Sequence, residues 1–339
     1  MSSWTVRLVS GDHSFPVEGE ETVVEAALRA GIAISYGCTN GSCGDCRARV
    51  VSGQVKKVRA HDYALTETEK LAGYALLCSV TPESDLVVDT NVAEHPDQIP
   101  MQDISTTVRG TERPNPDVLI MRLQTPRTRR LRFLAGQHVQ LEMDNGAVST
   151  TQPLANCPCD DRNLILHLNA QDDDPFVRHC FEQTRNGDTV EVHGPFGDFV
   201  LPDEKPRPLL FLAADTGFAP VRSLVEHVLA QENTEDIDLL WVANNSTGHY
   251  QGNLCRAWQD AIDNFHYRGL EWESGSDARS LRSLLDNALQ GISRPADRYA
   301  FIAGPASFVQ VAREAALATG VHPEHQRTFE TGHLHIREG

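Results

Sequence analysis

Four cysteines near the start of the chain have the type and spacing that an iron–sulfur cluster requires. Cys38, Cys43 and Cys46 form the pattern Cys-x4-Cys-x2-Cys, and Cys78 lies further along the chain. A [2Fe–2S] cluster takes four thiolates, two on each iron, and a close triplet with a distant fourth cysteine can supply them. We therefore predict that these four residues are metal ligands.

The residues around the triplet favour a cluster over a single zinc ion. Gly37, Gly41 and Gly44 have no Cβ, so the backbone can wrap closely around inorganic sulfide and point N–H groups at it. Zinc also accepts four thiolates, but a structural zinc site usually pairs two Cys-x2-Cys motifs, and here only Cys43 and Cys46 form one. The cluster is the prediction and zinc is the alternative.

Length and composition indicate a globular protein of two or three domains. The chain has 339 residues, of which 40% are hydrophobic and 23% charged. Its formal net charge is −17, and no dense basic segment is present that could follow a polyphosphate. Nucleic acid and anionic membranes are therefore poor partners, whereas a basic protein is permitted. No apolar run reaches the roughly 18 residues of a membrane span and no secretory signal opens the chain, so we expect a cytoplasmic protein.

Short elements that could hold the cysteine loop are predicted on both sides of it. Residues 4–9 alternate between apolar and polar side chains, as in a strand. Two capping boxes, Thr22 with Glu25 and Thr66 with Glu69, predict the starts of two short helices.

The rest of the chain divides into an antiparallel and a parallel part. After a polar linker at residues 93–103, short strands separated by turns predict an antiparallel β-barrel with one helix from Pro175. From residue 208, apolar strands alternate with helices, which predicts a doubly wound parallel sheet. The fold class is thus multidomain α+β and α/β. The predicted domains are residues 1–96, 97–204 and 205–339.

Both halves of the chain resemble known families. Residues 1–92 resemble plant-type ferredoxins in three segments: Tyr36-Gly37-Cys38, Gly41-Ser42-Cys43-Gly44-Asp45-Cys46 and Leu76-Leu77-Cys78. Residues 104–339 resemble the flavin- and nicotinamide-binding domains of ferredoxin–NADP reductase relatives. The segments that carry this second resemblance are Gly136-Gln137-His138-Val139, Leu154-Ala155-Asn156, Gly194 to Phe199, Thr216 to Pro220 and Gly304-Pro305.

The whole chain resembles the single-chain reductase component of a bacterial oxygenase system. The resemblance implies a β-grasp-like ferredoxin domain, then a flavin-binding-type barrel, then a nicotinamide-binding-type sheet. It also implies an enzyme in which NADH gives a hydride to FAD, and the flavin passes single electrons to the [2Fe–2S] cluster and on to a partner oxygenase.

The positions that hold flavin in that family carry unusual residues here. The family motif Arg-x-Tyr-Ser is replaced by residues that include Thr150, Gln152 and Pro153. These changes remove a guanidinium for the diphosphate, an aromatic ring for the isoalloxazine and a hydroxyl near the flavin N5. Where the family holds phosphate at a helix N-terminus, the chain has Asp172 to Asp174 before Pro175, and we expect a helix capped by its own carboxylate.

The resemblance places nicotinamide-nucleotide contacts at two predicted strand ends. They are Thr216, Gly217 and Pro220 after the first parallel strand, and Gly304 with Pro305 after the fourth.

Asn244 and Asn245 occur where NADP-selective relatives tend to carry arginine, which favours NADH. The leading prediction is therefore an NADH-dependent, ferredoxin-type reductase. The alternative is an iron–sulfur carrier or docking subunit whose reductase domains no longer bind flavin or NADH tightly.

Two further features have a plain structural interpretation from sequence. The basic run Arg127, Arg129, Arg130 and Arg132 could replace the missing flavin cation, but a solvated loop is favoured. Cys157-Pro158-Cys159 could be a redox pair, but unpaired loop thiols are favoured because two-residue spacing strains a disulfide.

Overall fold

Three large β-sheets follow one another along the chain in the computed structural model, one in each predicted domain. The structure describes residues 3–202, 206–231, 235–272 and 277–332. The domain boundaries stay a prediction. The one at 96/97 falls within a single 3-10 turn at Pro96–Gln98, and the one at 204/205 lies outside the described residues.

The first sheet holds the cysteine loop. Its domain comprises β1 (Ser3–Leu8), β2 (Ser14–Glu18), α1 (Val23–Arg29), β3 (Arg47–Ser52), β4 (Val55–Lys57), α2 (Glu67–Leu71), β5 (Tyr74–Leu76), β6 (Val80–Pro82) and β7 (Leu86–Asp89). Five strands pair in the order β2-β1-β7-β3-β5, with β1 and β7 parallel, and β4 pairs with β6. The apolar side of α1 is buried in the core of this domain.

Both predicted capping boxes are confirmed. At the start of α1, the Glu25 N–H donates to the Thr22 hydroxyl at 3.3 Å, and the Thr22 N–H donates to the Glu25 carboxylate at 3.0 Å. Thr66 and Glu69 make the same reciprocal pair at the start of α2.

The second sheet is antiparallel, as predicted. Its domain comprises β8 (Gln102–Asn115), β9 (Val118–Gln124), β10 (His138–Met143), β11 (Val148–Pro153), β12 (Asn163–Asn169), α3 (Pro175–Glu182) and β13 (Thr189–Phe196). Six strands pair in the order β11-β10-β13-β8-β9-β12, and the sheet curls so that its edge strands β11 and β12 come into contact. Inward-facing aliphatic side chains and α3 fill the interior.

The third sheet is parallel and covered on both faces, as predicted. Its domain comprises β14 (Leu209–Ala214), α4 (Phe218–Ala230), β15 (Ile237–Ala243), α5 (Gly252–Ala261), β16 (Phe265–Glu271), α6 (Ala278–Leu289), β17 (Tyr299–Pro305), α7 (Ala306–Thr319) and β18 (Gln326–Thr331). The strand order is β16-β15-β14-β17-β18. Alternate residues of β14 face opposite cores, one shared with α4 and α5 and the other with α6 and α7.

Among the described residues, no helix is both long and apolar enough to cross a membrane.

Candidate cofactor sites

The four predicted ligand cysteines lie in two adjacent pairs. The Sγ atoms of Cys46 and Cys78 are 3.1 Å apart, and both side chains are buried. The Cys43 N–H donates to Cys38 Sγ at 3.4 Å, and the Asp45 N–H donates to Cys43 Sγ at 3.4 Å. Two pairs of thiols, one of them with backbone donors aimed at its sulfurs, fit a binuclear cluster, which needs two thiolates on each iron.

Each pair contains one thiol that ionises readily. The hydrogen bond from Cys46 lowers the pKa of Cys78 to about 6 and, in turn, raises the pKa of Cys46. Burial opposes ionisation of Cys38, but hydrogen bonds from Cys43, Asn40 and Ser42 together outweigh it and lower the Cys38 pKa to about 7. Because metal binding displaces protons from cysteine, a thiolate in each pair assists cluster assembly.

Two of the predicted glycines are required by the backbone and by what covers the loop. Gly41 and Gly44 have φ values of +77° and +85°, where an L side chain is strained. A Cβ on Gly41 would lie 2.4 Å from the Cβ of His61, and one on Gly44 would lie 2.2 Å from the Tyr63 ring. The segment around His61 and Tyr63 therefore packs directly over the cysteine loop.

The opposite side of the cysteine loop packs on the barrel through Arg130. The Arg130 N–H donates to the Gly37 carbonyl at 2.7 Å, and its guanidinium donates to the Thr39 hydroxyl at 3.4 Å. The guanidinium also donates to the Thr125 hydroxyl at 2.7 Å and lies 3.7 Å from the buried Asp161 carboxylate. One arginine thus joins the loop that begins at Cys38 to the flavin-type domain.

The sequence interpretation of the basic run as a solvated loop is wrong for half of it. Arg127 and Arg129 are exposed, but Arg130 is only 5% exposed and Arg132 is partly buried, with its guanidinium 6.0 Å from the centre of the Tyr36 ring. Arg130 and Arg132 contact the ferredoxin-type domain, so they serve domain docking.

The three positions of the unusual flavin motif lie on β11 beside α3. The Thr150 hydroxyl donates to one oxygen of Asp174, and the Gln152 amide donates to the Thr150 hydroxyl at 3.2 Å. Pro153 is buried. The second oxygen of Asp174 accepts two backbone N–H groups of the first turn of α3 at 2.8 and 3.3 Å. The expected self-capped helix is confirmed.

This end of α3 does not fit a diphosphate. Asp174 already satisfies the N–H groups of the first turn, and its negative charge opposes a second anion there. Thr150, in the place of the family arginine, has its hydroxyl proton committed to Asp174. The structure therefore brings Thr150, Gln152 and Asp174 together as a closed polar cluster.

An aromatic cluster with an unsatisfied nitrogen lies where the barrel meets the parallel sheet. The ring of His138 on β10 packs 5.9 Å from Phe196 on β13 and 5.7 Å from Phe329 on β18, between ring centres. Its Nδ1 is buried without a hydrogen-bond partner, and burial lowers the pKa of His138 to about 4. Flat rings beside an unpaired nitrogen suit a heteroaromatic ring such as isoalloxazine.

His138 lies in one of the segments that resemble the ferredoxin–NADP reductase relatives, but the sequence did not predict it as a cofactor contact. In β10 the polar residues His138, Gln140 and Glu142 alternate with apolar ones, so the strand pattern gives no signal that singles out His138.

The predicted nicotinamide positions come together at the carboxyl edge of the sheet. Thr216 and Gly217 lead from β14 into α4, and a Cβ on Gly217 would lie 2.3 Å from the carbonyl oxygen that precedes Gly304. Pro305 ends β17, and Pro220 is buried in the first turn of α4. In contrast to α3, α4 has no side-chain cap. It continues a 3-10 turn at Asp215–Gly217, and the Phe218 N–H donates to carbonyls of that turn.

The acidic residue in this turn, Asp215, is partly buried. Burial raises the pKa of Asp215. The Asp215 backbone has a φ of +48°, and its carbonyl accepts the indole N–H of Trp241 at 3.1 Å. Trp241 stacks on Phe218 with ring centres 4.0 Å apart, which fixes the turn against the start of α4.

Two segments of the chain match known protein families. Residues 8–83 match the 2Fe-2S iron-sulfur cluster binding domain, and residues 211–314 match the oxidoreductase NAD-binding domain.

Similar proteins extend over most of the chain. Reductase component 1 of terephthalate 1,2-dioxygenase from Comamonas sp is 29% identical over 336 residues, which cover 96% of this chain and 98% of the relative. The CDP-6-deoxy-L-threo-D-glycero-4-hexulose-3-dehydrase reductase of Yersinia pseudotuberculosis is 29% identical over 266 residues, 78% of this chain and 79% of the relative. The crystal structure of Amycolatopsis cytochrome P450 reductase GcoB has the same fold, with a TM-score of 0.58 at 22% identity, over 96% of this chain and 98% of that one.

Proposed function

We infer that the chain belongs to the single-chain ferredoxin-type reductases, which join an iron–sulfur domain to an NAD-binding oxidoreductase domain. We propose that it passes electrons from NADH through a flavin to its cluster and on to a partner oxygenase. The observation that carries the proposal is the Arg130 contact. It seats the cysteine loop on the domain that lies between it and the NAD-binding sheet. The Arg130 contact therefore holds the cluster loop against the domain through which electrons from the nicotinamide site would pass.

Besides the cysteine loop, the described residues provide two proposed binding sites. The turn at Asp215–Gly217, where Gly217 closely approaches the backbone at Gly304, is the proposed binding position of the dinucleotide phosphates. The aromatic cluster of His138 and Phe329 is the proposed contact for the flavin ring, and the α3 end is excluded from holding its diphosphate. When bound, the flavin turns the electron pair of a hydride into single electrons that a cluster can accept.

The proposed docking surface for the oxygenase is the outer side of the cysteine loop. Ser42 and Asp45 are exposed there, and Cys43 is the least buried of the four ligand cysteines. This side lies away from Gly37 and Thr39, which contact the barrel. An oxygenase is proposed because a close relative is named as a dioxygenase reductase component. Another relative is named as the reductase of a dehydrase.

The proposal includes a cytoplasmic location, which agrees with four reduced thiols available for cluster assembly.

A single anaerobic experiment tests the electron route. We expect the purified holoprotein to release flavin on denaturation, and NADH to bleach both flavin and cluster absorbance. In Cys43→Ala the flavin should still be reduced but the cluster spectrum should be absent, whereas Cys180→Ala, a buried cysteine of the barrel core, should behave as the parent. Absence of flavin, with no bleaching after FAD or FMN is added, would overturn the proposal.

The closed Thr150 and Asp174 cluster favours one second candidate. In that case the chain is an iron–sulfur carrier that receives electrons from another protein. Its signature in the same experiment is a cluster that NADH bleaches only after a separate reductase is added.

A further inference from the structure

Cys157 and Cys159 form a disulfide in the loop after β11, which corrects the sequence interpretation of unpaired thiols. The six other cysteines of the described chain are free. We propose that this pair is a second redox site of the protein, a dithiol–disulfide couple that exchanges with small-molecule thiols and disulfides. Disulfides are uncommon in reducing compartments, and those that occur there are usually catalytic or redox-sensing.

The two sulfurs differ in access, which decides the sulfur at which thiol exchange begins. Cys157 is only 2% exposed, whereas Cys159 is exposed at the surface. An incoming thiolate can reach Cys159 Sγ, and Cys157 is then the sulfur that leaves. A fully buried disulfide would be inert to this reaction, and a fully exposed one would not distinguish its two sulfurs.

The surroundings of Cys157 support a leaving thiolate. The Cys159 N–H donates to Cys157 Sγ at 3.2 Å, which stabilises negative charge on that sulfur. His227 Nδ1 lies 4.0 Å from the same sulfur. Burial lowers the pKa of His227 to about 4, so the ring beside this sulfur is a neutral imidazole.

Other contacts fix the loop so that the two sulfurs stay close. The Cys157 N–H donates to the Glu226 carboxylate at 3.1 Å, and Arg222 holds that carboxylate at 2.8 Å. The side-chain amide of Asn156 donates to three carbonyls at 2.9 to 3.2 Å, those of Cys157, Asp160 and Asn163. The pair is therefore presented by a rigid turn.

The pair lies where the three domains meet. Pro158 and Cys159 line a cavity with Leu28 at the end of α1, Phe133 of the barrel and His227 of α4. Cys159 also lines a neighbouring cleft with Thr39 and Asp161. These two residues contact Arg130, which seats the cysteine loop on the barrel. Cys159 is only two positions from Asp161, so a change in the redox state of Cys159 can alter the docking contact of Arg130.

The exchange is balanced as a two-electron reaction. On oxidation, Cys157 and Cys159 each lose an S–H proton and together form one S–S bond. The two electrons and two protons pass to a small-molecule disulfide, whose S–S bond breaks to give two thiols. Excess small-molecule thiol drives the reverse reaction.

The test is a redox titration of the holoprotein in anaerobic mixtures of reduced and oxidised dithiothreitol. Free thiols are alkylated, and the peptide that contains Cys157 and Cys159 is weighed by mass spectrometry. We expect zero and two alkyl groups to interchange in one two-electron transition. Cys159→Ser should abolish the transition, and Cys180→Ser should leave it unchanged. A peptide that is doubly alkylated in every mixture, or never alkylated, would overturn the proposal.

A second readout depends on the proposed function and is kept separate from the first. We expect the rate at which NADH bleaches the cluster to differ between the oxidised and reduced forms of the pair, and the difference to vanish in Cys159→Ser. Because the alkylation titration needs neither NADH nor flavin, failure of the electron route and failure of the dithiol site are distinguishable. Equal rates in both forms would show that the pair does not affect docking.

Discussion

Three buried or partly buried histidines are held neutral in the folded protein. Burial lowers the pKa values of His138 and His227 to about 4, and that of His167 well below its usual range, with the nearby Arg222 adding to the effect. His167 Nδ1 is hydrogen-bonded to the Tyr250 hydroxyl at 2.9 Å. Each ring therefore serves packing or hydrogen bonding as an uncharged group.

This predicts loss of stability in mild acid. An unfolded histidine titrates near pH 6.5, so below that pH the unfolded chain binds protons that the folded chain does not. The free energy of unfolding should fall as the pH drops from 6.5 to 4, by about 1.4 kcal/mol per pH unit for each such histidine. Thermal unfolding across this range measures the slope. His167→Gln should make the slope shallower.

The control for this prediction is His322→Gln, because His322 is an exposed histidine with 53% of its side chain accessible. It should leave the slope as it is. An equal slope in His167→Gln and the parent would contradict the assignment of His167 as a buried neutral group.

At the scale of elements, α3 and α4 differ in how their first turns are satisfied. Asp174 caps α3 and accepts the Thr150 hydroxyl, whereas α4 starts at Gly217 without a side-chain cap. Both helices follow a strand, but a carboxylate satisfies the first turn of α3, whereas the Phe218 N–H of α4 donates to carbonyls of the preceding 3-10 turn. At α3, the capping residue rather than the order of elements therefore decides whether the first turn can bind a phosphate.

Substitution at Asp174 separates its two effects. Asp174→Asn keeps a capping side chain and removes the charge, so we expect FAD to bind about fivefold more tightly, a gain of about 1 kcal/mol. Asp174→Ala should lower the free energy of unfolding by about 1 kcal/mol through loss of the cap. Flavin fluorescence titration and urea unfolding measure the two quantities.

Two comparisons make this result specific. Riboflavin, which has no phosphate, should bind the parent and Asp174→Asn equally well. Asp173→Asn removes a charge from a side chain that is 91% exposed and should change FAD affinity less. Unchanged FAD affinity in Asp174→Asn would contradict the charge argument.

At the scale of the whole molecule, docking of the cysteine loop on the barrel depends on a buried ion pair. Arg130 and Asp161 have side chains only 6% and 11% exposed. Removal of one partner leaves the other charge buried without compensation, which costs about 3–5 kcal/mol. The same guanidinium holds Thr39, next to the cluster ligand Cys38.

We expect Arg130→Met to slow electron transfer from flavin to cluster and to leave flavin reduction by NADH unchanged. Stopped-flow absorbance resolves the two steps. Arg127 is an exposed residue of the same run. Arg127→Met is therefore the matched control and should leave both rates unchanged. Arg130→Met combined with Asp161→Leu should recover stability but not the rate of cluster reduction, because the contact to Thr39 is still missing. A normal rate in both variants would show that Arg130 does not govern docking.

Local patterns account for the parts of this protein that could be predicted. The capping boxes at Thr22 and Thr66 involve groups three residues apart. Likewise, the cysteine triplet and the apolar run of β14 are each recognisable within a few consecutive positions. The order of such segments is enough to predict three successive sheets, because each sheet packs mainly within its own domain.

The sequence by itself determined the cluster ligands as a prediction, the fold class and the self-capped helix α3. Only the tertiary structure decided that Arg130 is buried against Thr39, that Cys157 and Cys159 pair beside His227, and that His138 has an unsatisfied nitrogen beside Phe329. The Arg130 contact joins residues 91 positions apart, and the His227 contact joins residues 70 apart. Such contacts depend on how domains pack, and side-chain burial across a junction leaves no periodic signal in the chain.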